Sequence, residues 1–333
     1  MKLNAIFTSN MVFAAFQPIR IYGTGEGSAK INFAGIEKTI ESNSENWMVE
    51  LPAMEYGGPY DLVFESDEKI TLSDIYVGEV YLFAGQSNME FMLKSARLGS
   101  TFYETNDKLR MFSPDKLEDN AYFYAKDGWV KCHEDTVGEW TAIGFLTASA
   151  ISKSKNIAIG VICCAQGASI IESWVPQGAF EKEGINLSIE QKHIDHINPD
   201  FRKWNQDGAL YDYALSQVLP FSLTGFVWYQ GESDTNIDEA RLYKDELLIL
   251  INQWRNDFKN PELPFVVIQI ADFQIRNDEA WKTVQQAQLE IEKVTSNVKT
   301  VISADVCEDN EIHPPTKHLL AERVVSALSE LID

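Results

Sequence analysis

Residues 80–90 read Val80-Tyr81-Leu82-Phe83-Ala84-Gly85-Gln86-Ser87-Asn88-Met89-Glu90. The run opens with five apolar or aromatic residues, which is typical of a buried strand, and the strand pattern stops at Gly85. The segment after it tolerates a helix, so Ser87 is expected between a strand end and a helix start. Open α/β sheets bind their ligands at this position, and N–H groups at a helix start favour an anion. Ser87 is therefore a candidate nucleophile, with an N-cap as the alternative role, although Met89 breaks the G-x-S-x-G elbow pattern.

Composition and charge limit the classes of function. The chain has 333 residues, of which 45% are hydrophobic and 23% are charged, as in an ordinary globular protein. Its 50 acidic residues outnumber its 28 basic residues, which gives a formal net charge of -22. A field of that sign repels phosphate backbones and anionic lipids, so neither nucleic acid nor a membrane is expected as a partner. It places no restriction on a small-molecule or oligosaccharide substrate, and the sequence does not indicate an oligomeric state.

The start of the chain and its cysteines predict a cytoplasmic protein. The first ten residues are too polar and too short for the apolar core of a signal peptide, and no apolar run reaches membrane-spanning length. A leader removed earlier would leave the same sequence. The cysteines show neither a disulfide framework nor zinc-site spacing. They are Cys132, Cys163, Cys164 and Cys307.

Strand and helix patterns divide the chain into two predicted domains. Residues 1–73 read as short strands separated by turns, which predicts a small N-terminal β-sandwich. Residues 74–333 alternate strands with helix-length segments, and several strands are apolar on both faces, as in a doubly wound parallel sheet covered by helices. The predicted strands are 19–22, 30–33, 47–51, 60–64, 80–84, 157–163, 225–229, 264–270 and 299–302. The predicted helices are 142–153, 238–258, 279–294 and 316–331, and residues 181–203 are predicted to form an irregular excursion.

Functional side chains of such a sheet follow the carboxyl ends of its strands. This rule selects Ser87, then Gly167 after the second strand, Gln230 after the third and the loop of His313 after the last. Acyl transfer by a serine needs a base, and His313 lies on a loop stiffened by two prolines. Gly167 could present its backbone N–H, and Gln230 its amide, to the oxyanion of a tetrahedral intermediate.

A pair of histidines is a candidate metal site. His193 and His196 are three residues apart, with Asp195 between them. Two ligands without a third are a weak indication of a metal, so a solvated loop is the preferred interpretation. No metal and no other cofactor is predicted.

Four blocks of sequence occur in an order that matches a known family. They are Gly85-Gln86-Ser87-Asn88-Met89, Gly167-Ala168-Ser169-Ile170-Ile171-Glu172-Ser173-Trp174, Trp228-Tyr229-Gln230-Gly231-Glu232-Ser233 and Glu311-Ile312-His313-Pro314. Together they resemble the sialate O-acetylesterase family, a carbohydrate-esterase branch of the SGNH hydrolases. N-terminal segments resemble the β-domain that precedes the first block, so the resemblance spans nearly the whole chain. It implies a flavodoxin-like hydrolase that removes O-acetyl groups from sugars without a cofactor.

The resemblance also implies roles for individual residues. Ser87 would be the nucleophile and His313 the base, with oxyanion donors at the backbone N–H groups of Ser87 and Gly167 and at the Gln230 side chain. The leading hypothesis is a serine esterase, foremost a sialate O-acetylesterase, that works through an acetyl-serine intermediate. An esterase for acetylated xylan or another polysaccharide is one alternative. A sugar-binding relative without catalysis is the alternative from another class.

The chain departs from the family pattern in three places. Ala168 replaces the second glycine of the second block, and Glu311 replaces the aspartate of the last block. The wider superfamily also has an aspartate where this chain has Asn310, and a neutral amide cannot stabilise imidazolium as a carboxylate does. Glu311 is the predicted acid, because an extended loop points it to the same side as His313. The alternatives are Asp309, Glu232 and a backbone carbonyl, the last of which would leave a Ser–His dyad.

Overall fold

The computed structural model describes residues 1–117, 128–185, 199–276 and 278–332. The strands are β1 (Lys2–Leu3), β2 (Val12–Ala14), β3 (Ile19–Thr24), β4 (Gly27–Phe33), β5 (Ile36–Ser42), β6 (Asn46–Leu51), β7 (Gly57–Glu65), β8 (Lys69–Gly85), β9 (Asn106–Phe112), β10 (Val130–Cys132), β11 (Ile159–Ala165), β12 (Gly225–Tyr229), β13 (Phe265–Ile268) and β14 (Val298–Val301). The α-helices are α1 (Ser87–Glu90), α2 (Ala142–Lys155), α3 (Ala179–Lys182), α4 (Ala209–Tyr213), α5 (Ile237–Ala240), α6 (Tyr243–Asp257), α7 (Glu279–Val294) and α8 (His318–Ile332).

The strand β8 connects the two halves of the chain. It runs for 17 residues without interruption. Its first part pairs antiparallel with β7 and parallel with β2, and its second part lies between β11 and β12 in a parallel sheet. The predicted domain boundary between residues 73 and 74 therefore falls inside a strand, and the backbone reaches Ser87 directly from the N-terminal half.

The N-terminal half contains two groups of antiparallel strands. One is the three-stranded sheet β1-β3-β6, and in the other β4 pairs with both β5 and β7. Trp47 of β6 stacks on Phe64 of β7, with ring centroids 5.6 Å apart, so aromatic side chains of the two groups meet. The strands predicted in this half fall within β3, β4, β6 and β7.

The second half of β8 is the central strand of a larger sheet with the order β10-β9-β11-β8-β12-β13-β14. All neighbours in this row are parallel except β10 and β9. After β8 the chain forms β9 and β11 on one side, and it then crosses to form β12, β13 and β14 on the other. The carboxyl end of β8 therefore lies at the topological switch point, where α/β sheets bind ligands.

Both faces of the second part of β8 are buried, as the apolar run of the sequence predicts. Leu82 points into the core that contains Trp254 of α6, and Phe83 points into the opposite core, which contains Ile143 of α2 and Leu320 of α8. Burying a large apolar side chain contributes about 1.5–3 kcal/mol. The mixed α/β arrangement agrees with the fold class predicted from the alternation of strands and helices.

Several elements differ from the prediction, among them a divided helix and the strand β9. The predicted helix 238–258 is divided into α5 and α6, because tight bonds from Leu242 N to Glu239 O and from Asp245 N to Leu242 O turn the chain between them. The strand β9 was missed because its charged residues hide an apolar pattern. One of these is Arg110, which is buried and pairs with Asp74 in the structure.

Within the described ranges, no helix combines the length and the hydrophobicity needed to cross a lipid bilayer.

Gly85 occupies a backbone position that a side chain cannot share. Its φ is +134°, and a Cβ there would lie 2.1 Å from the carbonyl oxygen of Tyr229 on β12. We expect Gly85→Ala to lower the free energy of unfolding by at least about 2 kcal/mol, because it adds a backbone clash to a strained φ. Urea unfolding monitored by circular dichroism measures this loss.

Gly27→Ala is the matched control for the strain alone. Gly27 has a φ of +121°, and no atom lies within 4 Å of the position of its added Cβ. The account of the β8–β12 contact would be contradicted if Gly85→Ala were as stable as Gly27→Ala.

Candidate active site

The three central strands end level with one another. Gly85 is in register with Ala165 of β11 and with Tyr229 of β12. Backbone hydrogen bonds extend this register past the strand ends, from Gln86 N to Tyr229 O (3.0 Å) and from Gln166 N to Gly85 O (2.9 Å). The segments that carry the predicted site residues therefore leave the sheet from a single edge.

Ser87 and His313 are in direct contact. Ser87 Oγ lies 2.7 Å from His313 Nε2, although 226 positions separate the two residues. Ser87 is half-buried and is the first residue of α1, whereas the N-cap position belongs to Gln86. The alternative role of Ser87 as an N-cap is therefore not realised. A serine hydroxyl bonded to an imidazole is the arrangement that activates a nucleophile.

The surroundings of His313 favour its neutral form. Partial burial of the ring and the cation of Lys317 lower the pKa of His313, and the carboxylate of Glu311 partly opposes them. Neutral imidazole can accept the hydroxyl proton of Ser87, so the environment suits a general base at neutral pH.

The structure does not join any of the predicted carboxylates to His313. Within the described residues, the only hydrogen bond of the His313 ring is the bond to Ser87. Glu311 is exposed and influences the ring through its charge alone. Asp309 accepts hydrogen bonds from the backbone and the side chain of Gln274. Glu232 is buried, and its Oε1 accepts a hydrogen bond from Asn88 Nδ2 at 2.6 Å.

Gly167 lies beside Ser87. A Cβ added to Gly167 would lie 3.7 Å from the Cβ of Ser87. Neither the N–H of Ser87 nor that of Gly167 donates a hydrogen bond to another residue in the described part of the chain. The loop after β11 is held from outside, because Trp204 Nε1 donates to Gly167 O at 3.1 Å. The N–H of Ser87 and the N–H of the adjacent Gly167 are thus two backbone donors in this part of the site.

Ala168, which replaces a glycine of the family pattern, has an unusual backbone conformation. Ala168 has a φ of +54°, in the left-handed region that favours glycine. Holding a non-glycine residue there costs about 1–2 kcal/mol. Asn205 Nδ2 donates to the Ala168 carbonyl at 2.8 Å and braces the turn. The alanine therefore occupies a backbone conformation that a glycine at this position would adopt without strain.

Gln230 is oriented away from the role of oxyanion donor. Its side chain is fully buried, and its Nε2 donates both to Ser169 O at 2.8 Å and to Asp234 Oδ2 at 2.5 Å. Its Oε1 accepts a hydrogen bond from the Tyr243 hydroxyl at 2.9 Å. Both amide N–H groups are used, so this geometry does not support the prediction that Gln230 donates to an oxyanion. The side chain instead ties the loop after β11 to the loop after β12.

Four polar residues near the site were missed by the sequence analysis. Asn88 and Glu90 follow Ser87 closely, and both are buried. The carboxylate of Glu90 forms an ion pair with Lys116, and its Oε2 would lie 3.0 Å from a Cβ at Gly167. Lys317 donates to Asn88 Oδ1 at 2.7 Å. Asn88 and Glu90 lie inside the 80–90 stretch and could have been found there, whereas no spacing rule identifies Lys116 or Lys317.

The predicted histidine pair is not part of this description. His193 and His196 lie outside the described residues, as does most of the predicted excursion at 181–203. Within the ranges that the structure covers, no three His, Cys, Asp or Glu side chains group as potential metal ligands.

Curated relatives match this chain at low sequence identity. The "Sialate O-acetylesterase" of Homo sapiens is 24% identical over 321 residues, and that of Pongo abelii is 23% identical over 321 residues. Each match covers 86% of this chain and 60% of the relative. The chain therefore spans about 60% of the length of these curated relatives.

A solved structure and a family model extend the comparison. The crystal structure of a "novel carbohydrate acetylesterase" from Xanthomonas citri superposes on this chain with a TM-score of 0.86 and 25% sequence identity. The match covers 99% of this chain and 75% of the Xanthomonas citri chain. The family described as "Carbohydrate esterase, sialic acid-specific acetylesterase" matches residues 77–328, from within β8 into α8. That match covers well over half of the chain, and the chain therefore belongs to the sialic acid-specific acetylesterase family of carbohydrate esterases.

Proposed function

We propose that this protein is a serine esterase that removes O-acetyl groups from carbohydrates, with acetylated sialic acid as the leading substrate class. We further propose that its α/β half is a flavodoxin-like SGNH hydrolase domain and that its N-terminal half is a β-sandwich. The observation that carries the functional proposal is the 2.7 Å contact of Ser87 Oγ with His313 Nε2 at the switch point of the sheet. Family membership and the names of the relatives support the substrate class.

In the proposed acylation step, Ser87 Oγ attacks the acetyl carbonyl carbon while His313 Nε2 takes the hydroxyl proton. The carbonyl oxygen becomes an oxyanion and accepts hydrogen bonds from the backbone N–H groups of Ser87 and Gly167. Preorganised donors of this kind contribute strongly, since loss of one typically costs on the order of 100- to 1000-fold in kcat. The bond to the sugar oxygen then breaks, and His313 returns its proton to that oxygen.

The deacylation step repeats the same transfers with water. His313 removes a proton from a water molecule, which attacks the acetyl-serine carbonyl. The tetrahedral intermediate collapses with release of acetate, and the proton on His313 returns to Ser87 Oγ. The cycle requires neither a metal nor an organic cofactor, in keeping with a nucleophile that its own base activates.

Two alternatives make different experimental predictions. An esterase for acetylated xylan or another polysaccharide would use the same residues on a different sugar. A sugar-binding relative without catalysis would bind the sugar and release no acetate. The contact between Ser87 and His313 favours catalysis, because a binding site needs no base beside a serine.

We expect acetate release from O-acetylated sialic acids to exceed release from acetylated xylo-oligosaccharides, as measured by an enzyme-coupled acetate assay on the full chain. Ser87→Ala should abolish release from every substrate that the wild-type protein cleaves, because no nucleophile remains. Preferred cleavage of xylo-oligosaccharides would replace the sialate assignment. Absence of acetate release from all substrates, with sugar binding retained, would support the non-catalytic alternative.

Glu311→Gln tests whether this exposed carboxylate acts as a triad member. We expect kcat to fall by less than about 10-fold, because an exposed charge contributes at most about 1 kcal/mol. Removing the Glu311 charge should also lower the pKa of His313, so the acidic limb of kcat/KM should move to lower pH. In the wild type this limb should lie below the ordinary histidine value of about 6.5, since activity is lost as the pH falls through the pKa of the base.

Glu322→Gln, an exposed substitution on α8, is the matched control for this experiment. In one serine protease, replacing the carboxylate of the triad with Asn cost about 10⁴-fold in kcat. A loss of that size in Glu311→Gln, with the control unchanged, would show that Glu311 orients the base.

A further inference from the structure

The side chain of Asn88 connects four parts of the proposed site. It directly follows Ser87 and is 1% exposed. Its Nδ2 donates to Glu232 Oε1 at 2.6 Å and to the backbone carbonyl of Ile312 at 2.9 Å, and its Oδ1 accepts from Lys317 Nζ at 2.7 Å. Ile312 immediately precedes His313. One amide therefore links the nucleophile turn, the base loop, the loop after β12 and the residue before α8.

Lys317 is a cation with no exposed surface. Its Nζ lies 4.9 Å from the ring centroid of Phe91 and 5.2 Å from that of Tyr229, so two aromatic rings surround the charge. Burial lowers the pKa of Lys317 to about 8, which leaves it mostly protonated at neutral pH. The other titratable groups that act on it are Glu232, Glu308 and Cys307; the two carboxylates favour its protonated form, whereas burial raises the pKa of the Cys307 thiol to about 11 and leaves it neutral.

Glu232 completes this network as a buried acceptor. It is 4% exposed, and burial raises the pKa of its carboxyl group. The hydrogen bond from Asn88 and the charge of Lys317 act in the opposite direction and stabilise the ionised form. Removing one partner of such a buried network leaves the others unsatisfied, so its members hold one another in place.

We propose that Lys317 is a positioning residue for the base: through Asn88 it fixes the backbone at Ile312, holds the His313 imidazole facing Ser87 and places its own positive charge within electrostatic reach of that imidazole. This proposal rests on the proposed role of His313. The network acts on the backbone that carries His313, in a site whose described residues place no carboxylate on the ring. A nearby cation disfavours imidazolium, which is the opposite of what a triad carboxylate does.

The first test measures the protonation of His313 without turnover. The imidazole signals of the five histidines of the full chain are followed by NMR as a function of pH, and His313 is assigned by its absence in His313→Gln. Removing the cation in Lys317→Met should raise the pKa of His313, because repulsion of imidazolium is lost. The acidic limb of kcat/KM should move to higher pH in the same variant.

Lys155→Met is the matched control. Lys155 Nζ lies 3.1 Å from Oε1 of Glu79, which is a buried carboxylate like Glu232. Glu79 lies on β8 and precedes Ser87 by eight residues. The control removes a lysine that pairs with a buried carboxylate and should leave the pKa of His313 unchanged. The proposal is overturned if Lys317→Met leaves the pKa of His313 at its wild-type value, or if Lys155→Met raises it equally.

Asn88→Ala provides an independent test should Lys317→Met fail to fold. It cuts the link to Ile312 but retains the cation. We expect kcat to fall about 100-fold with little change in KM, because a displaced base loses its alignment with the nucleophile. Wild-type kcat in Asn88→Ala would overturn the positioning role. Failure of the esterase assignment would be recognised separately, because the wild-type protein would then release no acetate while its histidines could still be titrated.

Discussion

The hydrogen bond between Ser87 Oγ and His313 Nε2 forms only if the fold brings several distant parts of the chain to one place. The serine lies at the end of β8, whereas the histidine lies on the loop that follows β14 three strands away. The parallel sheet brings both segments to one edge, and the level ends of β8, β11 and β12 fix the starting point of the nucleophile turn. Gly85 makes this possible, because its backbone approaches Tyr229 too closely for any side chain.

The proposed site differs from a serine triad in the charge that acts on its histidine. A triad carboxylate stabilises imidazolium, whereas here a buried lysine contributes to lowering the pKa of His313. Such a base is weaker but stays unprotonated over a wider range of pH. A triad carboxylate orients the histidine ring through a hydrogen bond. Here the backbone next to His313 is held instead, because the side chain of Asn88 donates a hydrogen bond to the carbonyl of Ile312. The departure at Asn310 is therefore compatible with a base held by its loop.

Much of the fold could be predicted from the sequence because the central strands are apolar on both faces. The helix predicted at 279–294 coincides with α7, since its apolar stripe and its N-cap Asp278 mark its face and its start. The contact between Ser87 and His313 followed from the rule that functional residues leave parallel strands at their carboxyl ends. Neither the continuity of β8 nor the strand β9 could be predicted, because both depend on pairing with strands that are distant in the sequence. Burial of Arg110 in β9 also depends on a partner in another strand, Asp74 of β8.

The roles of polar side chains were harder to predict than the positions of strands. Gln230 has the residue type of an oxyanion donor, but its hydrogen bonds to Ser169 and Asp234 are visible only in three dimensions. The sequence around Lys317 does not indicate a role for it, because its proposed role depends on burial between aromatic rings and on the hydrogen bond to Asn88. A residue's chemistry suggests what it can do, and its neighbours determine which of those roles remain available.

Covalent labelling by a dialkyl p-nitrophenyl phosphate, followed by mass spectrometry of the intact protein and of its peptides, tests most directly whether His313 activates Ser87. We expect a single phosphoryl adduct on Ser87 in the wild-type protein at neutral pH, and loss of that adduct in His313→Gln. An adduct on another residue, or labelling of Ser87 at the wild-type rate in His313→Gln, would contradict the claim that His313 activates Ser87.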